Sequence, residues 1–227
     1  MVAPSTQVEQ YLSDYMVCDI ADQDQVNSLL AKHSCYKVIH CAAYSIVSES
    51  VANPEKYEEN NVQKASSFLE TCISSGCTQF IFSSTAAVYG NPVKVPIDEL
   101  HPLNPINPYG TTKLAFENTL LQQHQNKKIQ AGILRYFNAC GADFEAEIGE
   151  NHQPETHFIP NLLHAALQNK SISLFGNDYP TADGTCVRDY IHVWDLATAH
   201  ELLLQKMTKN SELDTVFNLG TTHGFSL

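Results

Sequence analysis

Apolar positions along this chain follow two alternating periods. In one, short β-branched and aromatic runs are bounded by polar residues; in the other, apolar side chains recur every three or four residues. The first pattern predicts strands over Tyr15 to Cys18, Lys37 to Ala42, Phe80 to Phe82, Ile129 to Phe137, Ile172 to Phe175 and Thr215 to Leu219. The second predicts helices over Asp24 to His33, with Val26, Leu29 and Leu30 on one face, and over Tyr109 to Gln125, Ile159 to Gln168 and Asp195 to Lys206. A further helix is predicted from Asn53 to Gly76, opened by an Asn-Pro cap, stopped by glycine and preceded by a polar turn over Ser45 to Ser50. Strands and helices alternating at this spacing predict right-handed β-α-β units: an α/β fold with a doubly wound parallel sheet covered on both faces. After Gly141 the pattern loosens. Asp143 to His157 reads as an acidic loop, Gly176 to Gly184 as turns, and the last seven residues as a tail with no closing element.

Composition narrows the partners. The chain has 227 residues, 43% of them hydrophobic, enough to bury a sizeable core as one domain with an appendage. A formal charge of −12, with no basic cluster beyond Lys127-Lys128, argues against nucleic acid. No long apolar run or signal-peptide pattern is present, which predicts a cytoplasmic protein without a membrane partner. Seven cysteines without a C-x-x-C read as packed thiols in a reducing compartment. His40 and His192 read as packed histidines. Asp178, Asp183 and Asp189 read as turn and capping residues and Glu145 to Glu150 as a solvated loop, so no metal is predicted.

In a parallel α/β sheet, ligands bind beyond the carboxyl ends of the strands. Three such places carry chemistry: the hydroxyl run Ser83-Ser84-Thr85, Asn138, and the helix opening Tyr109-Gly-Thr-Thr-Lys113. A tyrosine and a lysine four apart share a helix face, where the ammonium favours a phenolate able to act as a general base. The spacing alone carries little weight, since about half a Tyr-x-x-x-Lys pair is expected by chance at this composition. Its context after Pro105-Ile-Asn-Pro108, facing the hydroxyl run, carries more.

These segments, Ile81-Phe-Ser-Ser-Thr-Ala-Ala-Val-Tyr-Gly90, Pro108-Tyr-Gly-Thr-Thr-Lys113 and Leu134-Arg-Tyr-Phe-Asn138, resemble the extended short-chain dehydrogenase/reductase superfamily. The run from Phe175 to Val193, containing Gly-Asn-Asp-Tyr-Pro-Thr-Ala-Asp-Gly-Thr-Cys-Val-Arg-Asp-Tyr-Ile-His, is similar to its UDP-glucose 4-epimerase branch. The resemblance extends from about Asp19 to Leu219. It implies an NAD cofactor and a UDP-hexose substrate. By resemblance, Tyr109 is the catalytic base, Lys113 its partner at the nicotinamide ribose, and Thr85 the assisting hydroxyl that also meets substrate. Asp19 and Ile20 match the adenine contacts; Ala42, Ala43, Asn60, Ser83 and Tyr136 line the cofactor path; Asn138, Phe175 and Arg188 match contacts to the nucleotide sugar. Ser45, where some members carry lysine, departs from the pattern and removes one pyrophosphate contact. Ala86 and Ala87 stand where the related 4,6-dehydratases have an acid pair, which argues against elimination of water.

The resemblance further implies an incomplete Rossmann-like sheet. A partial NAD-binding domain spans 1–141, and part of a smaller substrate-binding lobe spans 142–227, interleaved with the last Rossmann elements. Family members open on a strand, a Gly-rich turn and a helix whose N-terminus binds the cofactor pyrophosphate. Met1 to Asp14 contains neither that turn nor its strand. On this reading, Tyr15 to Cys18 and Lys37 to Ala42 would be strands three and four, separated by a gap of roughly 15 Å. Two functions stay open at this point. One is an epimerase of galactose metabolism, expected as a homodimer and completed by another chain or an upstream reading frame. The other is a non-catalytic remnant serving as an interaction module.

Overall fold

The structure is a computed structural model that describes residues 4–145, 148–152, 155–174, 176–209 and 213–227. In chain order the elements are α1 (Thr6–Glu9), α2 (Gln23–His33), β1 (Lys37–His40), α3 (Val47–Ala52), α4 (Pro54–Glu58), a π-helical turn (Glu59–Lys64) and α5 (Ala65–Ser74). They continue with β2 (Gln79–Thr85), a 3-10 turn (Ala86–Tyr89), α6 (Pro108–Gln125), β3 (Gln130–Tyr136), β4 (Asn138–Cys140), α7 (Phe158–Leu167), β5 (Val187–His192), α8 (Val193–Lys209), β6 (Val216–Leu219) and β7 (Gly224–Ser226). By contacts the chain divides into two compact units, Met1–Tyr136 with Thr198–Asn218, and Phe137–Ala197 with Leu219–Leu227.

The first unit is organised by a sheet of order β1-β2-β3-β6, in which β1, β2 and β3 pair in parallel. Every residue of β2 is buried, the signature of a central strand covered on both faces. Period-two alternation divides the work. Phe80, Phe82, Ala131 and Ile133 join Leu69, Cys72, Phe116 and Leu120 of α5 and α6 in one core. On the opposite face Gly132 meets Leu203 and Met207 of α8, where a Cβ would come within 2.7 Å of Leu203. Each fully buried phenylalanine contributes about 1.5–3 kcal/mol through burial. His40 lies inside this core, its ring within 5.4–5.8 Å of Phe68, Phe80, Phe82 and Phe116, and burial pushes its pKa down to about 4.

The second unit holds a sheet of order β4-β5-β7, with β4 parallel and β7 antiparallel to β5. Asp189 accepts from the backbone and hydroxyl of Thr221 and from the Thr222 N–H, closing the turn that leads into β7. Asp183 accepts from Thr185 in the same way, so both carboxylates serve turns. His192 is half-buried and stacks on Phe144 at 5.4 Å.

Several expectations are corrected. Tyr15 to Cys18 forms no strand, because among the described residues nothing pairs with it; Tyr15, Met16 and Val17 are exposed and the predicted gap between strands does not arise. Residues 172–174 likewise form no strand, and Phe175 lies outside the described residues. The polar turn before Asn53 contains helix α3 instead, held by the Ser50 hydroxyl on the Val47 carbonyl and the Tyr57 hydroxyl on that of Ile46. The tail folds back as β7.

Candidate active site

The site grows from the carboxyl end of β2. The hydroxyl run Ser83, Ser84 and Thr85 lies within this strand, not after it, so the three side chains alternate between its faces. Thr85 ends the strand, and its oxygen accepts from the Ala87 N–H at 3.1 Å, starting the 3-10 turn. That turn carries the chain to the start of α6, where Asn107 caps the Gly110 N–H at 2.8 Å and Pro108 occupies the first turn. Gly110 is required by close approach, since a Cβ there would sit 2.7 Å from the Ala87 carbonyl oxygen. The Tyr109 N–H, with no carbonyl ahead of it in the helix, donates to the Ser50 hydroxyl at 3.2 Å.

This packing brings Thr85, Tyr109 and Lys113 together. Burial pushes the Tyr109 phenol up, and a side-chain hydrogen bond from Thr85 opposes the rise. Lys113, one turn further on, is 4% exposed and donates to the Ser83 carbonyl at 2.8 Å. Its ammonium lies 4.6 Å from the Phe82 ring centroid and 6.0 Å from that of Tyr109. Desolvation pulls Lys113 down to about 8. Sequence reasoning expects the ammonium to lower the phenol; here Lys113 is engaged by a carbonyl and a ring face, and burial dominates at Tyr109.

Ser83 is the hub behind the pair. Its hydroxyl meets His200 Nε2 at 2.9 Å and the Cys41 thiol at 3.2 Å, and a hydrogen bond from it restrains Tyr136, which burial pushes up. β1 ends at His40, and Ala42 and Ala43 follow after Cys41, exposed and half-buried. The loop they open is clamped by Asn61, which accepts from the Tyr44 N–H at 2.9 Å and donates to its carbonyl at 3.0 Å. Asn60 donates to Asn61 from the π-helical turn. Asp19, just before Ile20, accepts from the Ala21 N–H at 3.0 Å and from Lys64 at 2.7 Å; the Lys64 ammonium lowers its carboxyl, and both residues are half-buried or more exposed.

Asn138 and Arg188 belong to the second unit. Asn138 pairs with Tyr190 across β4 and β5, and Arg188 lies two positions before Tyr190 on the same strand. All three therefore share one face of that sheet. Arg188 is exposed, its guanidinium 3.4 Å from the Val187 carbonyl.

This arrangement can be set beside known proteins. The model of the NAD dependent epimerase/dehydratase family matches residues 3–220. The chain belongs to this family. It is 47% identical over 207 residues to a UDP-glucose 4-epimerase of Rhizobium leguminosarum bv. trifolii, covering 91% of this chain and 63% of that protein. To one from Halalkalibacterium halodurans it is 46% identical over 210 residues, with shares of 92% and 63%. The chain thus spans about 63% of the length of these curated relatives. Among solved structures, the Brucella ovis UDP-glucose 4-epimerase in complex with NAD superposes with a TM-score of 0.89 at 44% identity, covering 94% of this chain and 66% of that one. The Bifidobacterium longum enzyme in complex with NAD+ and UDP gives 0.86 at 34%, with shares of 97% and 67%.

In this epimerase/dehydratase chain a buried network supports the site from behind, and sequence reasoning did not single it out. Arg135 forks onto Glu117, with Nε 3.0 Å from Oε1 and Nη2 2.6 Å from Oε2, and its Nη1 reaches the Tyr89 hydroxyl at 3.0 Å. Ser84 donates to the same Glu117 carboxylate, and Tyr89 donates to Asn218 at 2.7 Å. Glu117 is one turn past Lys113, Ser84 precedes Thr85 and Arg135 precedes Tyr136, so the network ties α6, β2 and β3 together beside the reactive groups. A usable signal existed: Arg135 is a charge in an otherwise apolar strand, and such a charge needs a buried partner.

Proposed function

We propose that the chain carries out the chemistry of an NAD-dependent UDP-hexose 4-epimerase, interconverting UDP-glucose and UDP-galactose. The supporting observation is the Lys113 ammonium, buried one helical turn past Tyr109, 6.0 Å from its ring centroid and donating to the Ser83 carbonyl at the carboxyl end of a central parallel strand. The donor set fits the cofactor: Lys113 has two N–H donors beyond the one given to Ser83, and the Asp19 carboxylate is 42% exposed and ready to accept from an amino or ribose hydroxyl group. Asp19, Ile20, Ala42, Ala43, Asn60, Ser83 and Tyr136 would complete its contacts. NAD, when bound, supplies reversible two-electron chemistry at the sugar C4.

The chain's own residues supply the proton work. Tyr109 takes the proton of the sugar 4-hydroxyl and returns it after the 4-keto sugar has turned over, while Thr85 orients that hydroxyl and stabilises the phenolate. Because burial raises Tyr109, the phenolate is the minor form at neutral pH, so the rate rises with pH until Tyr109 titrates. Asn138 and Arg188 hold the nucleotide sugar. The same reading places the protein in cytoplasmic galactose metabolism, working as a homodimer. Among the described residues no helix is long and apolar enough to cross a membrane.

The test is conversion of UDP-galactose to UDP-glucose by the purified chain with NAD. Tyr109→Phe is expected to lower kcat by about 10²–10⁴-fold with unchanged circular dichroism. Parent-level turnover in that variant, or none in the parent, overturns the proposal.

A further inference from the structure

Outside the site just described, among the described residues, one cluster of ligand-type side chains converges in the second unit. The segment Glu150-x-His152-x-x-Glu155-x-His157 places two imidazoles and two carboxylates within eight residues. One potential ligand atom from each lies within 4.8 Å of the others. His152 Nδ1 is 2.8 Å from Glu150 Oε1, and His157 Nδ1 contacts that same oxygen. His157 Nδ1 is also 3.5 Å from Glu155 Oε1. The two rings are 5.1 Å apart and tilted at 59°, and their shared contact with Glu150 Oε1 brings the two Nδ1 atoms toward one point.

The Glu155 carboxylate is positioned by backbone donors rather than by the imidazole rings. Its Oε1 accepts from the backbone N–H groups of Thr156 and His157, both at 2.8 Å, and its side chain is 12% exposed. The carbonyl of the same residue accepts from Asn161 Nδ2 at 3.3 Å. A carboxylate held this way has the support that metal ligands need from their surroundings. The two imidazoles are about half exposed, which leaves a path for an ion to enter.

We propose that Glu150, His152, Glu155 and His157 form a binding site for a single Zn2+ ion. Two neutral imidazole nitrogens with two carboxylate oxygens match a four-coordinate, borderline-soft ion, whereas Ca2+ and Mg2+ prefer all-oxygen shells. Zinc bonds of about 2.0–2.1 Å at tetrahedral angles put ligand atoms roughly 3.3 Å apart, so the widest pairs close by about an ångström and a half at most while the two imidazole contacts with Glu150 Oε1 open to admit the ion. The two carboxylates balance the charge of the ion. Because His157 immediately precedes α7 and that helix start lacks a side-chain cap, the bound ion fixes the beginning of the helix.

The experiment is titration of the chelator-stripped full chain with ZnCl2, followed by calorimetry and by X-ray absorption of the loaded protein. One ion per chain is expected, with a shell of nitrogen and oxygen that includes two imidazoles. His152→Ala and His157→Ala are each expected to weaken binding at least about tenfold, while Glu145→Gln leaves it unchanged. Circular dichroism checks that each variant is folded. Should a histidine variant fail to fold, the absorption spectrum of the parent decides. Absence of binding, parent affinity in both histidine variants, or sulfur in the shell, which would assign the ion to the seven free thiols, overturns the proposal.

Discussion

The two compact units contrast in how they bury their side chains. In the first, Tyr57, Phe80, Phe82, Tyr89 and Phe116 are almost completely enclosed, and even charged groups, Lys113, Glu117 and Arg135, lie in the interior with partners. In the second, Ile191 and Leu196 are the apolar side chains that are buried among the described residues, each 7% exposed, and α7 buries none. Leu163 and Leu167 on that helix are 58% and 83% exposed. The groups that would move a proton therefore sit where packing leaves them little freedom, and those that would read the nucleotide sugar sit on a thinner support. A packed interior holds reacting groups to sub-ångström tolerances, whereas recognition through exposed charged side chains accommodates adjustment.

The contrast breaks most readily at Glu117. Glu117→Ala leaves the Arg135 guanidinium buried and unpaired and is expected to cost about 3–5 kcal/mol of stability, read from the urea midpoint. A silent variant would remove the argument that this network braces the site. Acid tests the same interior next. His40 has its pKa lowered to about 4 from 6.5, so between these values the unfolded chain binds more protons than the folded one. Stability is full above about pH 6.5 and falls as the pH drops toward 4, by about 3 kcal/mol in all. His40→Phe should flatten that part of the stability profile.

Lys113→Met separates packing from chemistry. Removing a desolvated ammonium while leaving the Ser83 carbonyl without its donor should keep stability within about 1 kcal/mol of the parent at pH 7. The proposed epimerisation should still collapse. With the Lys113 pKa lowered to about 8 from 10.5, the parent gains stability as the pH rises through that window, and the variant should lack the gain. The smallest stability effect is expected in the second unit. Arg188→Ala should stay within about 0.5 kcal/mol of the parent in thermal unfolding and appear instead as a higher KM for the UDP-sugar.

How much of this was legible depended on where the stabilising partners lie. Strands β2 and β3 announced themselves as apolar runs buried on both faces, and helix α6 by the Asn107 and Pro108 that open it; Tyr109, Lys113 and Thr85 meet because that cap, that proline and a close-packed glycine fix the turn between strand and helix. Helix α3 was hidden. Its Val47 and Val51 are 44% and 63% exposed, so no buried stripe marks it, and its support comes partly from Tyr57 on the next helix. Strand β7 exists only through β5, some thirty-five residues earlier, and three residues carry no period of their own. The run at 172–174 shows the converse: apolar content without a partner, leaving Leu174 49% exposed. The Arg135–Glu117 pair was visible only as a misplaced charge, because its partner is 18 positions away on another element.

The π-helical turn at Glu59–Lys64 gives the helix after Asn53 an angular phase that a regular α-helix would not have. Each residue advances an α-helix by about 100°, so one extra residue in a turn rotates everything on one side of it relative to the other. Tyr57, before the wide turn, holds the start of α3, while Ala65, Leu69 and Cys72, after it, face the sheet. Asn61 and Lys64, within it, reach the loop after β1 and the Asp19 carboxylate. Trimming one residue to restore ordinary winding would bring those three sets of side chains out of step. The irregular turn acts as a phase shifter that lets a single helix serve the core, the loop after β1 and the Asp19 carboxylate together.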